Sequence, residues 1–254
     1  MSVGAETLWQ APPRSIEARR DEVHVWRASL SVAPSQLQAL APLLSADEKE
    51  RAGQFHFDKD HGEFIAGRAL LRILLGRYLQ RAPSQLQFSY GAAGKPRLAG
   101  EDPAPQFNLS HSHGLALYAF SRGREIGVDV EWMKRNAEAD KIAERFFSAQ
   151  EVAVFRSLPE SAKEKAFFDC WTRKEAYIKA KADGLTAPLD AFSVSLSPGA
   201  PAALLDVRDN PGEVSRWSLR ELAPGPGYAG AVIAEGSDWR LRCWEWEWPN
   251  LISF

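Results

Sequence analysis

The sequence predicts an α+β fold made of two similar α+β subdomains, each a small, mainly antiparallel sheet packed with helices. Three observations predict it. Stretches such as "VHVWRASL" (23–30) and "IGVDVEW" (126–132) alternate apolar and polar residues with the period of two expected of half-buried strands. Two long segments with helical character are each preceded by a capping-box pattern, Ser45 with Glu48 and Ser148 with Glu151. These starts, "SADE" and "SAQE", lie 103 residues apart (148 − 45), and strand-like "QFSYG" near 87 and "AFSVSL" near 191 follow them at nearly the same offset. The repeat places a join near Gly123, giving an N-terminal subdomain over 1–123 and a C-terminal one over 124–254. Ligand sites often lie between such halves.

In chain order, the first 20 residues contain Pro and Arg and show no regular pattern. Val23 to Leu30 reads as a strand, and Ser45 opens a helix. "EFIAGRALLRILLGRYL" (63–79) places Phe64, Leu71, Leu74, Leu75 and Tyr78 near helical spacing and reads as a long amphipathic helix. "LQFSYG" is a short strand, and "GAAGKPRL" is a turn into another. "QFNLSHSHGLALYAF" (106–120) suggests two strands meeting around Gly114. After the turn "SRGRE" comes the 126–132 strand. Ser148 caps the next helix, and "KEKAFFDCWTRKEAYIKAKADGL" is a long helix stopped at Gly184. "AFSVSL", "RWSLREL", "YAGAVIAE" and "WRLRCWEWEW" then read as strands, the last one rich in Trp.

Bulk properties narrow the class. The 254 residues carry a net charge of −2, which gives no support to nucleic-acid binding. Two cysteines, Cys170 and Cys243, make neither a disulfide framework nor a Cys-rich zinc site, so a reducing compartment is expected. The start has no apolar core of signal-peptide type, and no run approaches the roughly 20 apolar residues of a membrane span. The best candidate, "FIAGRALLRILL", is interrupted by Arg68 and Arg72. The expectation is a cytoplasmic protein.

Four groups of residues carry chemistry. Asp129 and Glu131 lie on one face of a strand, about 7 Å apart. Two anions that close raise each other's pKa unless a cation sits with them. Paired hard oxygens suit Mg²⁺, and a solvated face of an antiparallel strand is the other reading. Glu175 and Lys179 share a helix face with Trp171, and Phe168 nearby argues for partial burial. In "FNLSHSHG", His111 and His113 lack a third zinc ligand, and neighbouring Ser and His point to opposite faces of a strand. Phosphate contact by a hydroxyl and an imidazole remains. Finally, Arg51, Lys59, Arg68, Arg72 and Lys95 are scattered cations, each unremarkable as surface charge except Arg68, which lies inside an apolar helix. No Walker loop or GxGxxG occurs, so side chains would have to hold any nucleotide.

Together, "EKERAGQF…FIAGRALLR", "GKPRL", "FNLSHS", "IGVDVE", "FFSAQE" and "FFDCWTRKEAYIKAKADGL" resemble the Sfp-type 4′-phosphopantetheinyl transferases over residues 45 to 185. "GVDVE" followed by W-T-x-K-E-A-x-x-K is the specific part. The resemblance implies two pseudo-two-fold-related α+β subdomains. It also implies a holo-[acyl-carrier-protein] synthase type of enzyme, which moves 4′-phosphopantetheine from coenzyme A to a serine of an apo acyl or peptidyl carrier protein and releases adenosine 3′,5′-bisphosphate. Carried over by motif, Asp129, Glu131 and Glu175 would hold Mg²⁺ (Mn²⁺ as the alternative) on the pyrophosphate, and Lys179 would contact the phosphates. Ser110 and His111 would bind coenzyme A phosphates, with Arg51, Lys59, Arg68 and Lys95 completing a basic lining. "KDHGEF" fits the family's basic run only loosely, and Gly62 and Glu63 stand where some relatives have cations.

In this reading Asp129, Glu175 and Lys179 are the catalytic group, with Glu175 the candidate general base. Glu151 either supports the metal site or only completes the cap with Ser148. A monomer is expected, because two halves already supply a pseudo-dimer. Two rivals use the same residues differently. A phosphohydrolase would consume coenzyme A without a carrier, and a binding module would need neither Glu131 nor Glu175.

Overall fold

The computed structural model describes residues 9–91, 94–100, 105–134, 138–181 and 188–248. The first half runs β1 (Glu22–Ser29), α1 (Pro34–Leu40), α2 (Ala46–Ala52), α3 (Asp58–Leu79), β2 (Phe88–Tyr90), β3 (Pro96–Leu98), β4 (Pro105–Ser112) and β5 (Leu115–Arg122). The second runs β6 (Ile126–Trp132), α4 (Ala139–Phe146), α5 (Ala149–Ser157), α6 (Glu160–Lys181), β7 (Phe192–Val194), β8 (Leu204–Val207), α7 (Gly212–Arg216), β9 (Trp217–Leu222) and β10 (Tyr228–Glu235). A further strand, β11 (Arg240–Trp246), follows. The expected helix stop at Gly184 lies outside the described residues.

Both halves repeat one plan: a strand, short helices, a long helix, a two-stranded ribbon and two returning strands. In each sheet the last strand sits between the first and the penultimate one, all antiparallel, as β1–β5–β4 and β6–β10–β9. The fold is therefore α+β with small, mainly antiparallel sheets, as the sequence predicts. We propose the subdomain boundary at 123/124 on this recurrence. One strand crosses it, since β11 pairs in parallel with β1.

The capping boxes do more than start helices. Ser45 N–H donates to Glu48 Oε2 (3.0 Å), and Ser148 N–H donates to Glu151 Oε2 (2.7 Å). Both glutamates are buried, and buried charge needs a partner. Arg72 Nε donates to Glu48 Oε2 (2.6 Å), and Lys174 Nζ lies 2.8 Å from Glu151 Oε2. Each cation also reaches two carbonyls at or just before the start of the following ribbon. Arg72 binds Pro83 O and Leu86 O (3.1 and 2.8 Å), and Lys174 binds Leu189 O and Phe192 O (2.8 and 2.6 Å). This brace aligns Arg72 with Lys174, a spacing of 102 (174 − 72), as do the ends of the two 22-residue helices. The spacing of 103 read from the helix starts thus slips by one residue along the long helices. Glu151 is a cap and a buried brace.

Three apolar clusters result. Trp26 and Ala28 of β1 face α3, together with Trp244 and Trp246 of β11. The second cluster surrounds Phe167, Tyr177 and Ile178 of α6. Between the sheets, Val23 and Val25 of β1 meet Ile126, Val128 and Val130 of β6. The period of two in "IGVDVEW" therefore points Ile126, Val128 and Val130 into the seam and leaves Gly127, Asp129 and Glu131 for the α6 side.

Candidate active site

Strand β6 is the edge of its sheet, and β4 is the edge of the other. The two edges meet through side chains of β4. Asn108 Oδ1 accepts from Val128 N–H (2.9 Å), and Ser112 Oγ accepts from Trp132 N–H (3.1 Å). Alternate residues of "FNLSHS", namely Asn108, Ser110 and Ser112, thus face β6. Ser110 Oγ donates to Asp129 Oδ1 (2.7 Å), and Ser112 Oγ donates to Glu131 Oε2 (2.9 Å).

Helix α6 lies directly on β6 at Gly127. A Cβ there would collide with the carbonyl oxygen of Ala176 and crowd Ala180 N. This close approach brings Glu175 and Lys179 over the acidic face. Lys179 Nζ sits 2.6 Å from Asp129 Oδ1 and 2.9 Å from Ser110 Oγ. Asp129, Lys179 and Ser110 form one hydrogen-bonded cluster, with Asp129 only 2% exposed.

The three acids differ in environment. Burial, and then the charge of Asp129, push the Glu131 and Glu175 carboxyls above their ordinary range, while Lys179 pulls both the other way. Asp129 Oδ1 takes both neighbours. Its Oδ2 is buried with no hydrogen-bond partner among the described residues. An orphaned carboxylate oxygen beside two acids reluctant to ionise fits an oxygen-seeking divalent cation. Among the described residues no group of three ligands is gathered around a ready metal position. An ion such as Mg²⁺ held here would therefore need further ligands from water or substrate phosphates.

Beside these groups opens a cavity of about 860 Å³ between the halves. Glu175 and Lys179 form its wall on the α6 side, and the wall of the first half carries the cations Arg51, Arg68 and Lys95 with His111 and the acids Asp47, Glu48 and Glu63. The cations are engaged to different degrees. Arg68 donates to Glu48 (2.9 and 2.5 Å) and to Tyr90 Oη (2.8 Å), with its guanidinium over Phe88 and Tyr90. Lys95 Nζ reaches across the seam to Lys179 O (2.8 Å) and Ile126 O (3.4 Å). Burial pushes its pKa down, and Glu125 partly opposes this. Arg51 lies over the Phe64 ring. His111 points away from Ser110, as strand alternation requires; its side chain is exposed, yet the surrounding cavity wall desolvates the ring enough to lower its pKa. Lys59 stands apart, in a smaller cavity of about 320 Å³, with Nζ 3.7 Å from Glu63.

The structure therefore joins Asp129, Lys179 and Ser110 by hydrogen bonds and sets Glu131 and Glu175 within electrostatic reach of Asp129, with Arg51, Arg68, Lys95 and His111 on the adjoining wall, and leaves Lys59 outside that cavity. Sequence reasoning passed over Asn108, Ser112 and the contact at Gly127. Their signal was the alternation of "FNLSHS" and the missing side chain in "IGVDVE".

A family model described as the 4′-phosphopantetheinyl transferase superfamily matches residues 125–233, and one described as 4′-phosphopantetheinyl transferase, N-terminal, matches residues 26–121. The chain is 40% identical over 240 residues to the 4′-phosphopantetheinyl transferase HetI of Nostoc sp., covering 94% of this chain and 98% of that protein. It is 30% identical over 195 residues to the 4′-phosphopantetheinyl transferase Sfp of Bacillus subtilis, covering 77% and 84%. The crystal structure of Thermotoga maritima holo-[acyl-carrier-protein] synthase superposes with a TM-score of 0.36 at 21% identity, covering 44% of this chain and 62% of that one.

Proposed function

Because this chain belongs to the 4′-phosphopantetheinyl transferase superfamily, we propose that it transfers 4′-phosphopantetheine from coenzyme A to a serine of an apo acyl or peptidyl carrier protein, with Mg²⁺ or Mn²⁺, releasing adenosine 3′,5′-bisphosphate. The observation that carries this reading is the Asp129–Lys179–Ser110 cluster beside a cation-lined cavity, with Asp129 Oδ2 left over.

Asp129, Glu131 and Glu175 are the residues that would hold the divalent ion, whose chemistry when bound is to neutralise charge on the pyrophosphate. In the reaction the carrier serine oxygen forms a bond to the phosphorus bearing the pantetheine arm. The bond from that phosphorus to the bridging oxygen breaks, and the bridging oxygen leaves with the nucleotide. Lys179 holds its ammonium beside the site and stabilises the charge that builds on the leaving oxygen. Glu175 takes the serine proton, directly or through a water. Arg51, Arg68, Lys95 and His111 line the space for the nucleotide phosphates. Among the described residues no helix is long and apolar enough to cross a membrane, and we take the protein to act as a cytoplasmic monomer.

The test is to incubate the protein with coenzyme A, Mg²⁺ and a panel of apo carriers and follow carrier mass. The expected result is one added phosphopantetheine group. No gain across the panel, or consumption of coenzyme A without any carrier, would sink the reading.

A further inference from the structure

We propose that Ser112 is a positioning residue for Glu131, by which the first half sets the carboxylate of the second. The proposal rests on the reading that Glu131 helps to hold the divalent ion.

One hydroxyl serves two consecutive residues of β6. Ser112 Oγ donates to Glu131 Oε2 (2.9 Å) and accepts from Trp132 N–H (3.1 Å). Its proton is thereby directed at the carboxylate, because the amide can only donate. Glu131 is half-buried on β6, the edge strand of its sheet. A glutamate there has rotamer freedom that this bond removes, and the bond engages Oε2 only.

The position of Ser112 is itself secured. The β4–β5 turn is His113–Gly114, both at positive φ (49° and 82°), as a type I′ two-residue hairpin requires. The His113 ring stacks on Trp132 (centroids 5.1 Å apart, 19° between planes), and Tyr228 Oη donates to His113 O (2.9 Å). Trp132 meets Tyr228 edge-on at 4.7 Å, and a side chain at Gly227 would run into its ring. The hairpin tip is thus pinned to β6 and β10, so that Ser112 sits opposite Glu131. Ser110 differs, because its hydroxyl is shared with Lys179 as well as Asp129.

The test uses the full chain with Ser112→Ala and Ser112→Thr. Mn²⁺ affinity is measured by electron paramagnetic resonance with coenzyme A present. Mg²⁺ activation of carrier modification and the KM for coenzyme A are measured alongside, with the thermal midpoint as a check on folding. Ser112→Ala should weaken Mn²⁺ binding about tenfold and raise the Mg²⁺ needed for half-maximal rate by a similar factor. The KM for coenzyme A should not move, and the thermal midpoint should fall only slightly, through loss of the acceptor for the Trp132 N–H. Ser112→Thr keeps the hydroxyl and should restore both metal readouts. If Ser112→Ala keeps wild-type Mn²⁺ affinity and Mg²⁺ activation, or lowers only the thermal midpoint, the positioning role is overturned while the metal reading stands. If the wild-type protein modifies carriers yet binds no Mn²⁺, the metal reading fails and the proposal fails with it.

Discussion

At a spacing of 102, Arg72 of α3 corresponds to Lys174 of α6, Ile73 to Glu175, and Arg77 to Lys179. The first pair does the same work in both halves, joining a buried capping-box glutamate to two carbonyls. The next two pairs diverge. Ile73 is buried in the first core, and Arg77 lies over the Trp246 ring at 4.7 Å. Glu175 and Lys179 instead face a cavity. The strands beside them explain the divergence. β1 has β11 on its outer flank, and the tryptophans of β11 pack into the first core. β6 has the polar side chains of β4 in that place. The shared brace belongs to the architecture. The site arises where one copy lacks the covering strand and keeps its acids and lysine.

The acids mark the same contrast. Burial acts to raise the pKa of Glu48, but hydrogen bonding from Arg72 and the charge of Arg68 outweigh it and hold the carboxyl below its ordinary range. Glu131 and Glu175 are pushed the other way. A carboxylate of the first kind stabilises the fold, and one of the second kind costs stability until a cation joins it.

The largest effect should come from separating function from frame. Glu175→Gln should lower the rate of carrier modification about 10³-fold at unchanged secondary structure. A variant with near-normal turnover would break the assignment of the active half. Next, Lys174→Met leaves the buried Glu151 without its cation and should cost about 3–5 kcal/mol in denaturant unfolding, whereas Arg72→Met leaves Glu48 still paired with Arg68 and should cost less. The activity of the molecules that remain folded should persist. A large cost in one half and none in the other would show that the two braces are not equivalent.

Glycine provides a third contrast. Gly127→Ala would push α6 off β6 and should lower kcat about 10²-fold through misplacement of Glu175 and Lys179. On α3, a Cβ at Gly67 meets only ordinary contacts, the nearest being Tyr118 Oη at 3.6 Å. Gly67→Ala should stabilise by about 0.5–1 kcal/mol, read from thermal melts.

The smallest effect is on pH dependence. For Glu48 the folded pKa is depressed, so its stabilisation is present above the unfolded value of 4.5 and is lost as pH falls through the folded value. For Glu131 and Glu175 the folded pKa is raised, so the folded state retains protons that the unfolded chain gives up above 4.5. Their contribution is full below 4.5 and is lost as pH rises through the folded values. In chelator at neutral pH, Glu175→Gln should raise the thermal midpoint and Glu48→Gln should lower it. The opposite signs would contradict the contrast.

Much of this was legible in local sequence. Alternation placed β1 and β6, the break at Gly114 separated β4 from β5, and Ser45–Glu48 and Ser148–Glu151 marked both helix starts. Asp129, Glu131, Glu175 and Lys179 were legible as faces of a strand and a helix. Partnerships between distant segments were not. The engagement of Arg68 with Glu48, of Lys95 with carbonyls at the end of α6, and of β11 with β1 depends on tertiary pairing that no local period encodes. Lys59 was grouped with the basic lining by motif order, yet its side chain stands beside Glu63 outside the main cavity.

The most direct measurement compares wild-type protein and Asp129→Ala in the carrier mass assay over a wide range of Mg²⁺ concentrations. Thermal melts should show both proteins folded. Wild-type protein should add one phosphopantetheine group to the apo carrier, and Asp129→Ala should add none at any Mg²⁺ concentration. Near-normal modification by Asp129→Ala across that range would contradict the account.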